Sequence, residues 1–271
     1  MQARPFFAPG VPRPVPWAHR GGSLRFPENT LIAFEGSYAL GYRWFETDVQ
    51  LSKDGHVVVH HDLTLDRTTD GSGPVAARTL GELKRLDAGC RFTEDGTRFP
   101  FAGRGATIPL LEEVLFFRPD HFVTLEMKGT DARLPERLYA HLRRVGAEDR
   151  VLVASANDAL TARFRALAKD RIPTSAGRKG IVRFWASVRT GLHRVLPRPR
   201  FDALQVPPRH GPLRVVDARF VAAARAKGLA VHVWTLNEPE EMRALAALGV
   251  DAIMTDRPQV LLDALNGPGA L

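Results

Sequence analysis

Short apolar runs recur along the whole chain and alternate with segments of helical periodicity. Read as strands, the runs predict eight elements, over residues 15–19, 45–50, 122–128, 151–155, 172–176, 203–206, 230–236 and 251–255. The intervening segments predict helices over residues 31–40, 134–145, 158–168, 218–227 and 239–248. Glycine stop signals end several of these helices, at Gly41, Gly146, Gly228 and Gly249.

This alternation of strands and helices is what a parallel barrel requires. Eight strands predict an α/β fold of the (β/α)8, or TIM-barrel, type, formed by residues 1–271 as a single domain. With 271 residues and 44% hydrophobic content, the chain is long enough to bury one large core.

The alternation breaks between residues 51 and 107. Ser52-Lys53-Asp54-Gly55 is typical of a turn between two strand-like runs, and polar, glycine-containing sequence follows it. We therefore predict a small insertion after the second strand, beginning with a β-hairpin. His61 lies on this insertion rather than on a barrel strand.

Acidic residues occupy alternate positions of two predicted strands. Glu46 and Asp48 share one face of the second strand, and Glu126 and Lys128 share one face of the third. Catalytic groups of this fold lie at the carboxyl ends of the strands, where these residues fall. Three carboxylates without a cysteine form a hard oxygen site, so Glu46, Asp48 and Glu126 are the predicted ligands of one divalent cation, Mg²⁺ or Ca²⁺.

Three motifs at or near strand ends point to a known family: His19-Arg20-Gly21, Glu46-x-Asp48 and Glu126-x-Lys128. On these motifs the chain resembles the glycerophosphodiester phosphodiesterase family. Further matching motifs occur in order, at Pro27-Glu28-Asn29-Thr30, Ser52-Lys53-Asp54-Gly55, His61-Asp62, Arg67-Thr68-Thr69, Ile108-Pro109, Trp234-Thr235 and Thr255-Asp256-Arg257-Pro258. The resemblance spans roughly residues 15–260 and also implies a small insertion after the second strand.

The resemblance implies metal-dependent hydrolysis of a glycerophosphodiester to glycerol 3-phosphate and an alcohol. In the family, one histidine deprotonates the substrate's own glycerol 2-hydroxyl, and the other protonates the departing alcohol. This step gives a cyclic phosphate, which water then opens. His19 and His61 are the predicted pair, because the ordinary histidine pKa of about 6.5 suits both transfers at neutral pH. The residues do not indicate which histidine acts first.

Three further residues are predicted to bind the substrate. Arg20 and Lys128 would face the nonbridging phosphate oxygens, which gain negative charge as the nucleophile adds. Trp234 is either an aromatic that seals the barrel mouth or the tryptophan that the family places against its ligand, and we predict the second.

Two acidic residues near these positions keep alternative interpretations. Asp62 either orients His61 or caps the following turn. Helix initiation by itself explains Pro27-Glu28-Asn29-Thr30, although Glu28 retains a possible contact with the site.

The segment from Arg178 to Arg200 contains seven Arg or Lys residues, no acidic residue and several apolar positions. It predicts an amphipathic helix whose basic face is either solvated or in contact with anionic membrane lipid. Membrane contact would favour an alternative activity, of the lysophospholipase D type, on lysophospholipids.

The formal charge of +8 attracts anionic partners in general. No nucleic-acid-binding motif accompanies it, so we predict a small-molecule phosphodiester as the partner and no nucleic acid. A noncatalytic binding protein is a further alternative, although none of the expected acid, base or ligand positions is missing. The sequence does not indicate an oligomeric state.

Features of secreted or membrane proteins are scarce in this sequence. Cys90 is the single cysteine, which excludes an internal disulfide framework. Prolines interrupt the first ten residues too early for a signal peptide, and no apolar run is long enough to span a bilayer. These features predict a cytoplasmic protein.

Overall fold

A curled sheet of seven parallel strands forms the centre of the computed structural model, which describes residues 5–7 and 10–266. The strands of the described residues are β1 Val15–His19, β2 Trp44–Leu51, β3 Val57–Val59, β4 Phe122–Met127, β5 Val151–Ala154, β6 Ala203–Val206, β7 Arg209–His210, β8 Leu213–Arg214, β9 Ala230–Val233 and β10 Ala252–Thr255. The parallel strands follow the order β5-β4-β2-β1-β10-β9-β6.

Residues 172–176 join the two edges of this sheet, at the place predicted for a strand. They form single parallel bridges, from Thr174 to Val153 of β5 and from Ser175 to Ala203 of β6, instead of a continuous ladder. The Ser175 N–H donates to Val153 O at 3.0 Å, and the Ala176 N–H donates to Ala203 O at 2.9 Å. Because both edges are bonded, the sheet closes into the predicted barrel.

Alternation along each strand separates the barrel interior from the helix layer. Inside the barrel, Trp17 and Leu152 pack in one cluster with Phe6, whose ring centroid lies 5.6 Å from that of Trp17. Residues of the opposite parity, such as Phe45, pack beneath the helices. His19 has the same parity as Trp17, so β1 directs it into the barrel mouth.

The described residues form nine α-helices: α1 Leu31–Ala39, α2 Leu80–Leu83, α3 Leu111–Phe116, α4 Leu134–Val145, α5 Asp158–Ala168, α6 Arg178–Thr190, α7 Ala218–Ala226, α8 Pro239–Ala247 and α9 Pro258–Asn266. The five predicted helices are confirmed to within one residue at each end. Thr30 caps α1 by accepting the Ala33 N–H, and Gly146 ends α4 in the left-handed region at φ 67°.

The predicted helix from Arg178 to Arg200 is wrong in its second half. The α-helix ends at Thr190, because Gly191 adopts a left-handed φ of 84°. A short 3-10 helix, Leu192–Arg194, follows, and no α-helix continues from there to Arg200.

The hairpin predicted after the second strand is present. β3 pairs antiparallel with β2, and Val49 lies opposite Val59. The segment that follows has a small apolar cluster of its own, which includes Leu65, Val75 and Leu83. This cluster supports the loop that carries His61, immediately beyond β3.

Residues 1–4, 8–9 and 267–271 lie outside the described part of the chain. Most of the first ten residues, for which we predict no signal peptide, therefore lie outside it as well. None of the helices in residues 5–7 and 10–266 is long and apolar enough to cross a membrane.

Candidate active site

Strand ends bring the predicted acidic residues together at the barrel mouth. Glu46 and Asp48 project from β2, and Glu126 projects from the neighbouring β4, where it pairs in register with Asp48. One oxygen from each carboxylate lies within 4.8 Å of the others. Glu46 and Asp48 are buried and Glu126 is half-buried, so the cluster opens to solvent on one side.

The donor set of this cluster fits a hard divalent cation. Asp48 Oδ1 is buried and accepts no well-formed hydrogen bond from the described residues, although Lys128 Nζ lies 3.1 Å away. The same ammonium group lies 3.0 Å from Glu126 Oε2. Burial and the neighbouring Asp48 raise the pKa of Glu46 to about 8. A cation beside these oxygens would keep the three carboxylates ionised together.

Two basic residues neutralise part of this charge. Arg20 Nε lies 3.4 Å from Asp48 Oδ2, and Lys128 contacts the other Asp48 oxygen. Burial opposes ionisation of Asp48, but these two cations outweigh it and hold the pKa of Asp48 below its ordinary value. Burial likewise lowers the pKa of Lys128, while Asp48 and Glu126 raise it more strongly. Both cations therefore remain charged at neutral pH.

A carboxylate from the far end of the chain orients His19. Nδ1 of His19 lies 2.6 Å from Asp256 Oδ1, and its Nε2 faces Glu46 Oε2 at 3.6 Å. Ser23 Oγ and Asn237 Nδ2 also donate to Asp256, at 2.5 Å and 3.0 Å. Burial lowers the pKa of His19, but Glu46 and Asp256 outweigh burial, so this pKa lies above its ordinary value.

A second carboxylate orients His61. Nδ1 of His61 lies 2.6 Å from Asp62 Oδ1, and Arg67 Nε donates to Asp62 Oδ2 at 2.6 Å. The bond from Arg67 is the largest reason why the pKa of Asp62 lies below its ordinary value. Gln50 of β2 donates to the carbonyls of His61 and Asp62 at 3.3 Å and 2.6 Å. The loop that carries His61 is thus bonded to the barrel.

Glu28 joins the two halves of this polar network. Its carboxylate accepts bonds from Arg67 Nη1 and Nη2, each at 2.8 Å, and from Arg20 Nη1 at 3.1 Å. One partly buried acid therefore holds both Arg20, which lies beside the acidic cluster, and Arg67, which lies beside His61.

Asn29 supports the centre of the site. It has a left-handed φ of 57°, its Nδ2 donates to Asp48 Oδ2 at 2.8 Å, and Thr47 Oγ1 donates to its Oδ1 at 2.6 Å. Asn tolerates this backbone region better than most residues. The turn between β1 and α1 therefore both initiates a helix and positions Asp48.

Trp234 lies at the mouth, directly after β9, and is 41% exposed. An aromatic ring that is this accessible at the open end of the barrel is available to pack against a bound molecule.

His60, next to His61, is buried, and its ring bonds to Thr64 O at 3.1 Å.

The sequence pattern of the Glycerophosphoryl diester phosphodiesterase family matches residues 19–260. The chain belongs to this family. A glycerophosphodiester phosphodiesterase of Caldanaerobacter subterraneus subsp. tengcongensis is 35% identical over 257 residues, which cover 93% of this chain and 98% of that protein. A probable glycerophosphodiester phosphodiesterase 2 of Mycobacterium tuberculosis is 32% identical and covers 94% of this chain and 92% of its own length.

Solved structures of phosphodiesterases share the fold. The glycerophosphoryl diester phosphodiesterase domain of an uncharacterized Mycobacterium tuberculosis protein superposes with a TM-score of 0.81 at 26% identity, covering 93% of this chain and 98% of its own. A phosphodiesterase of Oleispira antarctica, solved in complex with the product sn-glycerol-3-phosphate, has a TM-score of 0.74 at 28% identity, covering 94% and 97%. The likeness confirms the TIM-barrel fold.

Seven of the eight predicted site residues lie in one polar network at the barrel mouth or next to it. The eighth, Trp234, lies on the rim of the mouth. Sequence reasoning assigned no role to Asp256, Arg67 or Gln50, and it explained Asn29 by helix initiation alone. Asp62, left with two interpretations, contacts His61 directly. The adjacency of Asp62 and His61 was the available signal, whereas Asp256 lies 237 residues from its partner.

Proposed function

We propose that the chain hydrolyses glycerophosphodiesters, such as glycerophosphocholine or glycerophosphoethanolamine, to glycerol 3-phosphate and an alcohol. The observation that carries this proposal is a cluster of three carboxylates flanked by two histidines, each with a carboxylate 2.6 Å from its Nδ1. Membership of the family supports the reaction class.

Glu46, Asp48 and Glu126 would hold one divalent cation, Mg²⁺ or Ca²⁺. A bound cation would supply charge stabilisation to the phosphoryl oxygens. Arg20 and Lys128 add fixed positive charge from the protein itself, and both are already oriented by ion pairs before any substrate binds. Such pre-oriented charges need little rearrangement when negative charge develops on the phosphate.

His19 and His61 would form the acid–base pair. A carboxylate at Nδ1 fixes each ring so that Nε2 is free to exchange a proton with the substrate. One histidine removes the proton of the attacking glycerol 2-hydroxyl, and the other gives a proton to the departing alkoxide, so a cyclic glycerol phosphate and the free alcohol form. The two histidines then exchange roles as water opens the cyclic phosphate to glycerol 3-phosphate. Trp234 would pack against the bound diester at the rim.

The decisive experiment is release of glycerol 3-phosphate from glycerophosphocholine by the purified protein. We expect turnover that a chelator abolishes and that Mg²⁺ or Ca²⁺ restores. Turnover should fall at least about 100-fold in His19→Ala and His61→Ala, the size of a lost acid or base. His210→Ala, which removes an exposed histidine outside the site, should behave as wild type.

Two results would contradict this proposal in different ways. Turnover that is indifferent to chelator and to Glu46→Gln would exclude the metal centre. The absence of turnover on every glycerophosphodiester, with metal binding retained, would favour a noncatalytic binding protein.

A second candidate activity is hydrolysis of lysophospholipids at a membrane surface. The segment from α6 to the 3-10 helix after it exposes Val182, Leu192 and Val195 at 58%, 53% and 81% beside several basic residues, a combination typical of interfacial contact. Faster turnover of micellar lysophospholipid than of soluble diester, lost in Val182→Asp/Val195→Asp, would support it. Equal or slower turnover would exclude it.

A further inference from the structure

A cleft opens beside the carboxylate cluster, on the side of the mouth formed by β4, β5 and the start of α6. Its volume is about 570 Å³, and the residues that line it include Glu126, Lys128, Asn157, Arg178 and Lys179. Glu126 belongs to the proposed metal site and Lys128 to the proposed phosphate site, so the cleft is continuous with both. A phosphodiester bound beside Lys128 can therefore extend one of its two ester arms into the cleft.

Two cations stand on the outer wall of the cleft. Arg178 and Lys179 are the first two residues of α6, and both are exposed. Neither side chain has an ion-pair or hydrogen-bond partner among the described residues. This contrasts with Arg20 and Lys128, which are both paired with acids. The outer wall thus carries two positive charges that are not engaged in ion pairs among the described residues.

The acidic groups in the cleft are already engaged. Asp158 Oδ2 accepts the Lys179 N–H at 2.9 Å, and Asp158 Oδ1 accepts the Gly180 N–H at 3.3 Å. Asp158 therefore compensates the amino end of α6 rather than the two side chains. Glu126 is paired with Lys128. The electrostatic character of the outer wall is consequently set by Arg178 and Lys179.

We propose that this cleft is the headgroup subsite, and that it favours glycerophosphodiesters whose alcohol carries a second anionic group over those that carry choline. This inference rests on the proposed function. Of the two ester groups on the phosphate, glycerol is small and neutral, so it would not form an ion pair with Arg178 or Lys179. The headgroup is the ester group that varies in size and charge. An anionic headgroup is attracted to Arg178 and Lys179, and a cationic headgroup is repelled by them.

The test compares two substrates that differ by one phosphate, glycerophosphoinositol and glycerophosphoinositol 4-phosphate. For wild type we expect kcat/KM about five- to tenfold higher for the phosphorylated substrate, as suits exposed charge pairs. Added salt should reduce this ratio.

Arg178→Ala/Lys179→Ala should bring the ratio close to one, chiefly by lowering kcat/KM for glycerophosphoinositol 4-phosphate. Alanine maintains the helix, and the backbone N–H groups bound by Asp158 remain. Arg183→Ala is the matched control, since Arg183 is exposed on α6 but does not line the cleft; it should keep the wild-type ratio. Arg178→Glu/Lys179→Glu should raise kcat/KM for glycerophosphocholine relative to the phosphorylated substrate.

The inference is overturned if the ratio of the two kcat/KM values is near one in wild type, or if the double alanine variant keeps the wild-type ratio. In either case, turnover of these substrates still supports the proposed function. No release of glycerol 3-phosphate from any of these substrates overturns the proposed function and this inference together.

Discussion

Asp256 acts on the site through one short contact. It lies 2.6 Å from Nδ1 of His19 and is held in turn by Ser23 and Asn237. Burial raises the pKa of Asp256, but the hydrogen bond and charge of His19, together with the hydrogen bonds from Asn237 and Ser23, outweigh burial, so the carboxyl stays ionised at neutral pH. A charged acceptor in this position fixes the tautomer of His19 and favours its protonated form.

We expect Asp256→Asn to lower kcat by about 100-fold with little change in KM, because an amide neither fixes the same tautomer nor stabilises the imidazolium. The pH limb governed by His19 should move to lower pH, because a carboxylate that raises its pKa has been removed. Steady-state kinetics against pH measure both effects. Asp263→Asn, at an exposed position of α9, is the control. If Asp256→Asn changed only the stability of the protein, and neither kcat nor the pH limb, Asp256 would not position His19.

Arg67 is the residue that ties the insertion to the barrel. Through three nitrogen atoms, it bonds to Asp62 beside His61 and to the partly buried Glu28. The planar guanidinium group makes both contacts at once, and a lysine cannot reproduce this geometry.

Arg67→Lys should therefore lower kcat about tenfold, and Arg67→Ala should lower it further, since the Asp62–His61 pair loses its support. Circular dichroism should show both variants folded, because Arg67 is half-exposed. Arg85→Ala, an exposed arginine of the same insertion, should leave kcat unchanged. Equal kcat in all four proteins would show that Arg67 does not position His61.

Among the elements, the turn between β1 and α1 is closely packed against its neighbours. Gly21 has a left-handed φ of 81°, and a Cβ atom there would lie 2.6 Å from Ala33 Cβ and 2.9 Å from the Ala33 backbone carbon. The close approach of α1 keeps the turn against the strand end, next to Arg20. Only glycine meets both the backbone and the packing requirement.

Gly21→Ala should lower the free energy of unfolding by about 2 to 4 kcal/mol, combining overpacking with left-handed strain. Gly146→Ala is the control for strain by itself, since Gly146 has a φ of 67° with no atom within 4 Å of its Cβ position; it should cost about 1 kcal/mol. Urea denaturation measures both. Equal losses would show that contact with Ala33 does not matter.

At the scale of the whole molecule, the interior of the barrel contains a histidine that is not part of the site. His232 of β9 is buried, its ring centroid lies 4.5 Å from that of Trp17, and burial lowers its pKa to about 3. The unfolded chain has an ordinary histidine pKa of about 6.5. Between these two values the unfolded state binds the additional proton, so stability decreases as pH falls.

We expect the free energy of unfolding to fall by up to about 2 kcal/mol between pH 7 and pH 5 on account of His232 alone. His232→Gln should be less stable at pH 7 but should show a correspondingly smaller pH slope. Denaturant unfolding at both pH values checks this, with His210→Ala as an exposed-histidine control. An unchanged slope in His232→Gln would mean that this residue does not titrate on unfolding.

Local sequence patterns predict the strands, most of the helices and the face on which each acid lies, because periods of two and 3.6 residues are local properties. It also placed His19, Glu46, Asp48 and Glu126 at one end of the barrel, since parallel strands all end on the same side.

The partners of these groups follow from the folded barrel. Strands β1 and β10 bring His19 beside Asp256, and the packing of the insertion against the turn before α1 brings Arg67 beside Glu28; no local pattern encodes either contact. The same holds for the basic wall of the cleft, which Arg178 and Lys128 both line because α6 begins beside β4 and β5. These contacts depend on long-range packing, so the partners of the proposed catalytic groups are established only when the barrel is closed.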